Sequence, residues 1–136
     1  MNTYQNALNL LGRLLIVALF LPAGLSKLTG FEGTVGYFGS LGLPVATLAV
    51  VVAIIAEVLG GIALLVGFQT RIVAILLAIF TLAASIAGHA FWAAPADAAF
   101  IQQLLFLKNI AVIGGLLVLA SAGAGKFSID GYKQSN

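Results

Sequence analysis

Glu57 stands near the middle of an apolar run from Val45 to Phe68, and no other charge lies between Glu32 and Arg71. A lone carboxylate at that depth in a bilayer costs roughly 2.5–3.5 kcal/mol on insertion scales, so it is expected to have a partner and a use. Six other residues could share its chemistry: Arg13, Lys27, His89, Trp92, Lys108 and Asn109. A buried glutamate can accept or relay a proton, and His89 and Lys108 can donate to a carbonyl. Trp92, with Phe91 or Tyr37, can wall a flat apolar slot. Depth counted at about 1.5 Å per residue leaves two partners for Glu57, Lys108 from the outer side and Arg13 from the inner side. Glu57, His89, Lys108, Asn109 and Lys27 would then line one outward-opening cavity. Glu57, His89 and Lys108 are the candidate catalytic groups. Lys27, Trp92, Asn109 and Arg13 are the candidate substrate-binding groups.

The same residues also have plain structural readings. An ion pair at Glu57 could serve only to fix helix register. His89 could cap a helix, and Phe91 and Trp92 could belong to an interfacial aromatic belt. Lys27 and Arg71 could snorkel to the membrane surface or set topology. No metal site is expected. There are no cysteines, which removes disulfides and iron–sulfur ligation, and a single histidine cannot supply a haem pair.

The elements that must position these groups follow from composition. The chain is 62% hydrophobic and 7% charged over 136 residues, whereas soluble domains carry about 25% charged residues. So few charges cannot cover a soluble surface, which makes this an all-α polytopic membrane protein, with residues 1–136 forming a single domain. The net charge of +2 is too small to suggest nucleic acid. A spanning helix needs about 20 apolar residues, and four segments qualify: about Leu8–Ser26, Pro44–Val66, Thr70–His89 and Ile101–Ala122. They predict a four-transmembrane-helix bundle. Leu14 to Leu25 could pass for a signal-peptide core, but the run continues past Pro22, so an uncleaved first helix is expected.

Gly67–Gln69 reads as a tight turn pairing helices two and three. The longer connection from Lys27 to Leu43 predicts a short interfacial helix, about Thr34–Leu41, ended by Gly42. On helix one, Arg13, Phe20, Gly24 and Lys27 share a stripe. On helix two, Glu57 shares its face with Ala53, Gly60, Gly61 and Leu64, small residues that admit a neighbouring backbone. Arg13, Arg71, Lys126 and Lys133 fall on the side of both termini, against Lys27 and Lys108 opposite, which favours cytoplasmic termini. A faint internal echo pairs Gly12–Arg13–Leu14 with Thr70–Arg71–Ile72.

The order and spacing of GFEGTVGYFGSLGLP (Gly30–Pro44), the Glu57–Gly60–Gly61 segment, GFQTR (Gly67–Arg71), GHAFW (Gly88–Trp92), FLKN followed by GG, and the tail SAGAGKFSID resemble the DoxX family. The resemblance spans nearly the whole chain. It implies a four-helix protein of the bacterial inner membrane, a family often given an oxidoreductase label and named for a small subunit of a thiosulfate:quinone oxidoreductase. It carries over no residue-specific catalysis. No intrinsic cofactor is expected, and quinone is the candidate bound molecule. The partners expected are the lipid bilayer and either a redox protein or further copies of the chain. The first reading is a redox-associated subunit that contacts quinone or another small hydrophobic molecule. The alternative is a non-enzymatic carrier or an assembly and stabilising subunit.

Overall fold

The computed structural model describes Met1–Asn136 and is all helical, with four helices long and apolar enough to cross a membrane. The spanning helices are α1 (Thr3–Thr29), α3 (Ala46–Val66), α4 (Thr70–Gly88) and α5 (Ala96–Ala122). The short helix α2 (Phe31–Ser40) joins α1 to α3, and α6 (Ile129–Gln134) ends the chain. The interfacial helix thus exists but starts three residues earlier than expected, and Gly42, at φ 78°, ends the turn after it.

Two spanning helices outrun their apolar segments, for local reasons. Asn2 accepts from the Gln5 backbone N–H while its own N–H donates to the Gln5 side chain, a reciprocal cap that starts α1 well before Leu8. Pro95 precedes α5, and Asp97 sits in its first turn, where a negative charge suits the helix dipole. At its other end α1 continues through Lys27, which the apolar run alone had assigned to a connection.

Only 22 of 136 residues are buried, and most leucines, isoleucines and valines face outward. That distribution suits a bundle whose apolar solvent is lipid, so packing and polar links must hold the helices together. The core is a small cluster around Val17, Phe20, Leu64, Leu77 and Leu116. Gly61 packs on Leu21 of α1 and Gly60 on Leu77 of α4, as small residues on that face suggested.

The end of the bundle that holds both termini is tied by charged groups placed on helix ends. The last four carbonyls of a helix lack intrahelical partners, and leaving them bare in an apolar medium is costly. Arg13 donates to the Leu64 and Leu65 carbonyls at 3.0 and 3.3 Å, closing the end of α3, and to the Phe127 carbonyl of the tail. Arg71 does the same for α5, donating to the carbonyls of Ala120, Ser121 and Ala122. Each guanidinium lies against the positive-φ glycine that follows the helix it closes. A Cβ on Gly67 would lie 2.6 Å from Arg13, and one on Gly123 would lie 3.2 Å from Arg71. The echo between the two arginine segments therefore has a structural counterpart: in each half, an arginine in the first helix caps the helix that follows.

The remaining helix start at this end is closed by the tail. Asp130 accepts from the backbone N–H groups of Gln69 and Thr70 at 2.9 and 2.8 Å, capping the first turn of α4. The Asn6 side chain accepts from the Lys126 N–H at 2.7 Å, and Asn9 donates to the Gly123 carbonyl at 2.7 Å. The C-terminal segment is a strap laid across the bundle.

Partial burial raises the pKa of Asp130, but the hydrogen bonds from Thr70 and Gln69 and the charge of Lys133 outweigh it and leave the pKa below the ordinary value. A depressed carboxylate contributes stability above its unfolded pKa of about 3.9 and loses it as pH falls through the lower folded value. Asp130→Ala is expected to cost about 0.5–2 kcal/mol at neutral pH, the usual worth of such a cap. It should also remove this group's share of the acid-side loss, read from melting of the detergent-solubilised protein across pH.

Candidate functional site

The site is built where α1 crosses α3. In α3 the α-helix Ala46–Ile54 gives way to a π-helical turn, Ile55–Leu59, and resumes at Gly60–Val66. A π turn inserts one extra residue into the helical register and is found disproportionately at functional sites. Glu57 is its central residue and the only buried one in the turn. Gly24 of α1 lies directly against this turn: a Cβ there would sit 2.8 Å from the Glu57 Cβ and 2.7 Å from Val58 Cγ2. The two backbones meet because Gly24 has no side chain.

Lys27 lies three residues beyond Gly24 on the same stripe, and this proximity decides the partner of Glu57. Lys27 Nζ stands 3.1 Å from Glu57 Oε1 and 3.0 Å from Oε2. The ion pair is therefore with Lys27, not with Arg13 or Lys108 as depth alone had suggested. The apolar run put Lys27 at the start of a connection, whereas α1 runs on to Thr29 and brings its side chain onto the α3 face. The expectation that Glu57 faces the bundle interior and meets a cation from helix one or four holds, with Lys27 as that cation. Glu57 is 7% exposed, and both of its carboxylate oxygens lie within 3.1 Å of the Lys27 ammonium.

A cavity of about 600 Å³ opens beside this pair, within the size range of small-molecule sites. It brings together Glu57, Lys27, His89, Lys108 and Asn109, the five residues expected to share one cavity. His89 also caps α4, its N–H donating to the Ser85 carbonyl at 2.9 Å. Its Nδ1 lies 2.8 Å from Gln102 Oε1, a contact that orients the ring and leaves Nε2 free to act as an acceptor. Gln102 was not singled out from the sequence, where it reads only as a polar residue at the edge of an apolar run. Lys108 has no carboxylate partner, since the one ion pair in the structure joins Lys27 and Glu57.

Two expected site residues lie elsewhere. Arg13 is fully buried among the carbonyls it caps and is not on this cavity. A guanidinium is satisfied by backbone oxygens, which a sequence does not display as partners. Trp92 is 59% exposed and stacks edge-on with Phe91 and Phe106 at 5.3 and 5.7 Å, the arrangement of an interfacial aromatic cluster. The aromatic walls of the cavity are instead Phe20, Phe80 and, from α2, Tyr37 and Phe38. The short helix covers the cavity with the residues expected to lie in the membrane surface.

Comparison with known proteins matches residues 8–90 to the DoxX family model. The chain belongs to the DoxX family. The match includes Lys27, Glu57 and His89 and stops before Lys108 and Asn109. Among DoxX relatives, the inner membrane protein YphA of Escherichia coli is 38% identical over 121 residues, covering 89% of this chain and 86% of YphA. The inner membrane protein YqjF of the same organism is 40% identical over 121 residues, covering 89% of this chain and 88% of YqjF. CatD of Bacillus subtilis, whose name marks it as a candidate oxidoreductase, is 44% identical over 77 residues, covering 57% of this chain and 56% of CatD. No solved structure gives a significant match. With its four apolar helices, this DoxX protein is a multi-pass protein of the inner-membrane type.

Proposed function

We propose that this DoxX protein binds a small hydrophobic molecule of the quinone class in the Glu57 cavity, and acts as a redox-associated membrane subunit. The observation that carries this reading is a nine-tenths buried carboxylate, ion-paired to Lys27, on a mostly apolar cavity that also presents Lys108, Asn109 and His89. A quinone ring needs flat apolar walls and donors to its carbonyl oxygens. Phe20, Phe80, Tyr37 and Phe38 offer the walls, and Lys108 and Asn109 offer the donors. Bound quinone would supply the electron-accepting chemistry.

The residues of the chain then have definable tasks. Lys108 and the Asn109 amide orient the ring by hydrogen bonds. Glu57 accepts or returns a proton, while Lys27 holds the carboxylate in place. His89, fixed by Gln102, stands on the same cavity as a second proton acceptor through Nε2. The chain has no flavin or nicotinamide fold, so electrons would come from a partner protein. The oxidoreductase wording in the name of CatD agrees with this role. Both termini are assigned to the cytoplasm, from the four cations at their end against two at the other.

A water-soluble short-chain quinone is expected to raise the melting temperature of the purified protein in a dose-dependent way. The stabilisation should approach about 2.7 kcal/mol at a hundredfold excess over Kd. Lys108→Met should weaken the effect with little change in the unliganded melting temperature. No stabilisation by the quinone, together with no quinone carried through purification from native membranes, would leave the carrier or assembly reading in its place. A reporter active only in the periplasm should stay silent when fused at Asn136, and its activity would invert the topology.

A further inference from the structure

The cavity has an unequal outline, and its shape says how a ligand reaches it. The helices α3 and α4 leave the Gly67–Gln69 turn packed together, with α4 against the Gly60–Val66 half of α3 and its π turn. Beyond the π turn they part, because the Ala46–Ile54 half packs on α1 and α2 instead. The gap between the separated halves is a wall of the cavity. Leu48 and Val52 line it from α3, and Ala84 and Ala87 from α4. Leu48 and Val52 are 59% and 50% exposed, so their side of the cavity faces the acyl chains and not the bundle core. At the inner end stands Glu57, paired with Lys27.

This polarity defines an amphiphile. A head group that makes hydrogen bonds belongs at the Glu57 and Lys108 end, where partners exist for it. A tail belongs in the gap, where Leu48, Val52, Ala84 and Ala87 present apolar side chains and the far side is lipid. Alanine at positions 84 and 87 leaves the slot open, and larger side chains on that face of α4 would fill it.

We propose that the gap between α3 and α4 is a lateral entrance from the bilayer, and that it selects ligands with a single long apolar tail held over Ala84 and Ala87. The proposal rests on the head-group reading given above and adds the route and the tail to it. A lipid-dissolved molecule would enter sideways without crossing water, and α2 would remain a fixed cover over the aqueous side.

The test compares two quinones with the same ring, one with a short and one with a long isoprenoid chain, on protein in lipid nanodiscs. Affinity is read from ligand-dependent thermal stabilisation. Ala84→Phe and Ala87→Phe should each weaken the long-chain quinone by about tenfold or more, equivalent to about 1.4 kcal/mol, and leave short-chain affinity unchanged. Retained short-chain binding also shows that each variant is folded. Ile79→Phe, on the lipid-facing side of α4 and off the cavity, should change neither. Equal losses for both quinones, or an undiminished long-chain affinity, would overturn the lateral route while leaving the head-group site standing. A shift in oligomer mass in Ala84→Phe without a change in affinity would assign the gap to a second copy and overturn it as well. Failure of the unaltered protein to bind either quinone would remove the head-group reading, and this proposal with it.

Discussion

The contact on which the rest depends is the crossing of α1 and α3, where Gly24 lies on the π turn and Lys27 meets Glu57. Neither half of that contact works alone. A carboxylate near the middle of a spanning helix is unfavourable in hydrocarbon unless a cation reaches it. The cation reaches it because Gly24 lets the backbones touch and because α1 continues past its apolar segment. The extra residue of the π turn sets which way Glu57 points, toward the cavity and away from lipid. Pairing by Lys27 makes the carboxylate tolerable, and its place in the cavity lining keeps it within reach of a ligand. A buried ion pair is weak evidence for stability in itself. Its position on a 600 Å³ cavity is what gives it a function to serve.

The opposite end of the bundle solves a different problem with the same residue types. Arg13 and Arg71 close the carbonyl ends of α3 and α5, and Asp130 closes the amide end of α4. These charges are spent on backbone groups and are not free for a ligand. The division is clear along the membrane normal. Chemistry that can meet a small molecule gathers at the α2 end, and charges that hold helix ends gather at the end with the termini. The doubled arginine cap marks two helical hairpins of similar build, yet only the first carries an ion pair. The second contributes Lys108, Asn109 and His89 to the cavity from its own helices.

Much of this could be read from the residues themselves. Apolar run length gave the four spans. The stripe of Arg13, Phe20, Gly24 and Lys27 is the buried face of α1 over most of its length. The set of Glu57, Lys27, His89, Lys108 and Asn109 is one cavity lining. What escaped has physical reasons. Helix ends here are set by Asn2, Gly30 and Pro95, not by where apolarity stops, so Lys27 and Gln102 read as boundary residues when they are helical and in use. Arg13 found partners among carbonyls, which every residue has and no sequence pattern reveals. The π turn has no composition of its own, since Ile55–Leu59 reads like any apolar helix. Trp92 and Tyr37 are both aromatic and near the interface, and only the fold decides that Tyr37 lines the cavity and Trp92 does not.

The most direct measurement is a double-mutant cycle between Lys27 and Glu57 on the solubilised protein, read as unfolding free energy. Lys27→Met orphans a buried carboxylate and should destabilise strongly, by about 3 kcal/mol, whereas adding Glu57→Gln removes the orphan and should recover most of that loss. Lys108→Met combined with Glu57→Gln should be additive. Additive losses for Lys27 and Glu57, or a strong coupling of Glu57 to Lys108 in their place, would contradict the account.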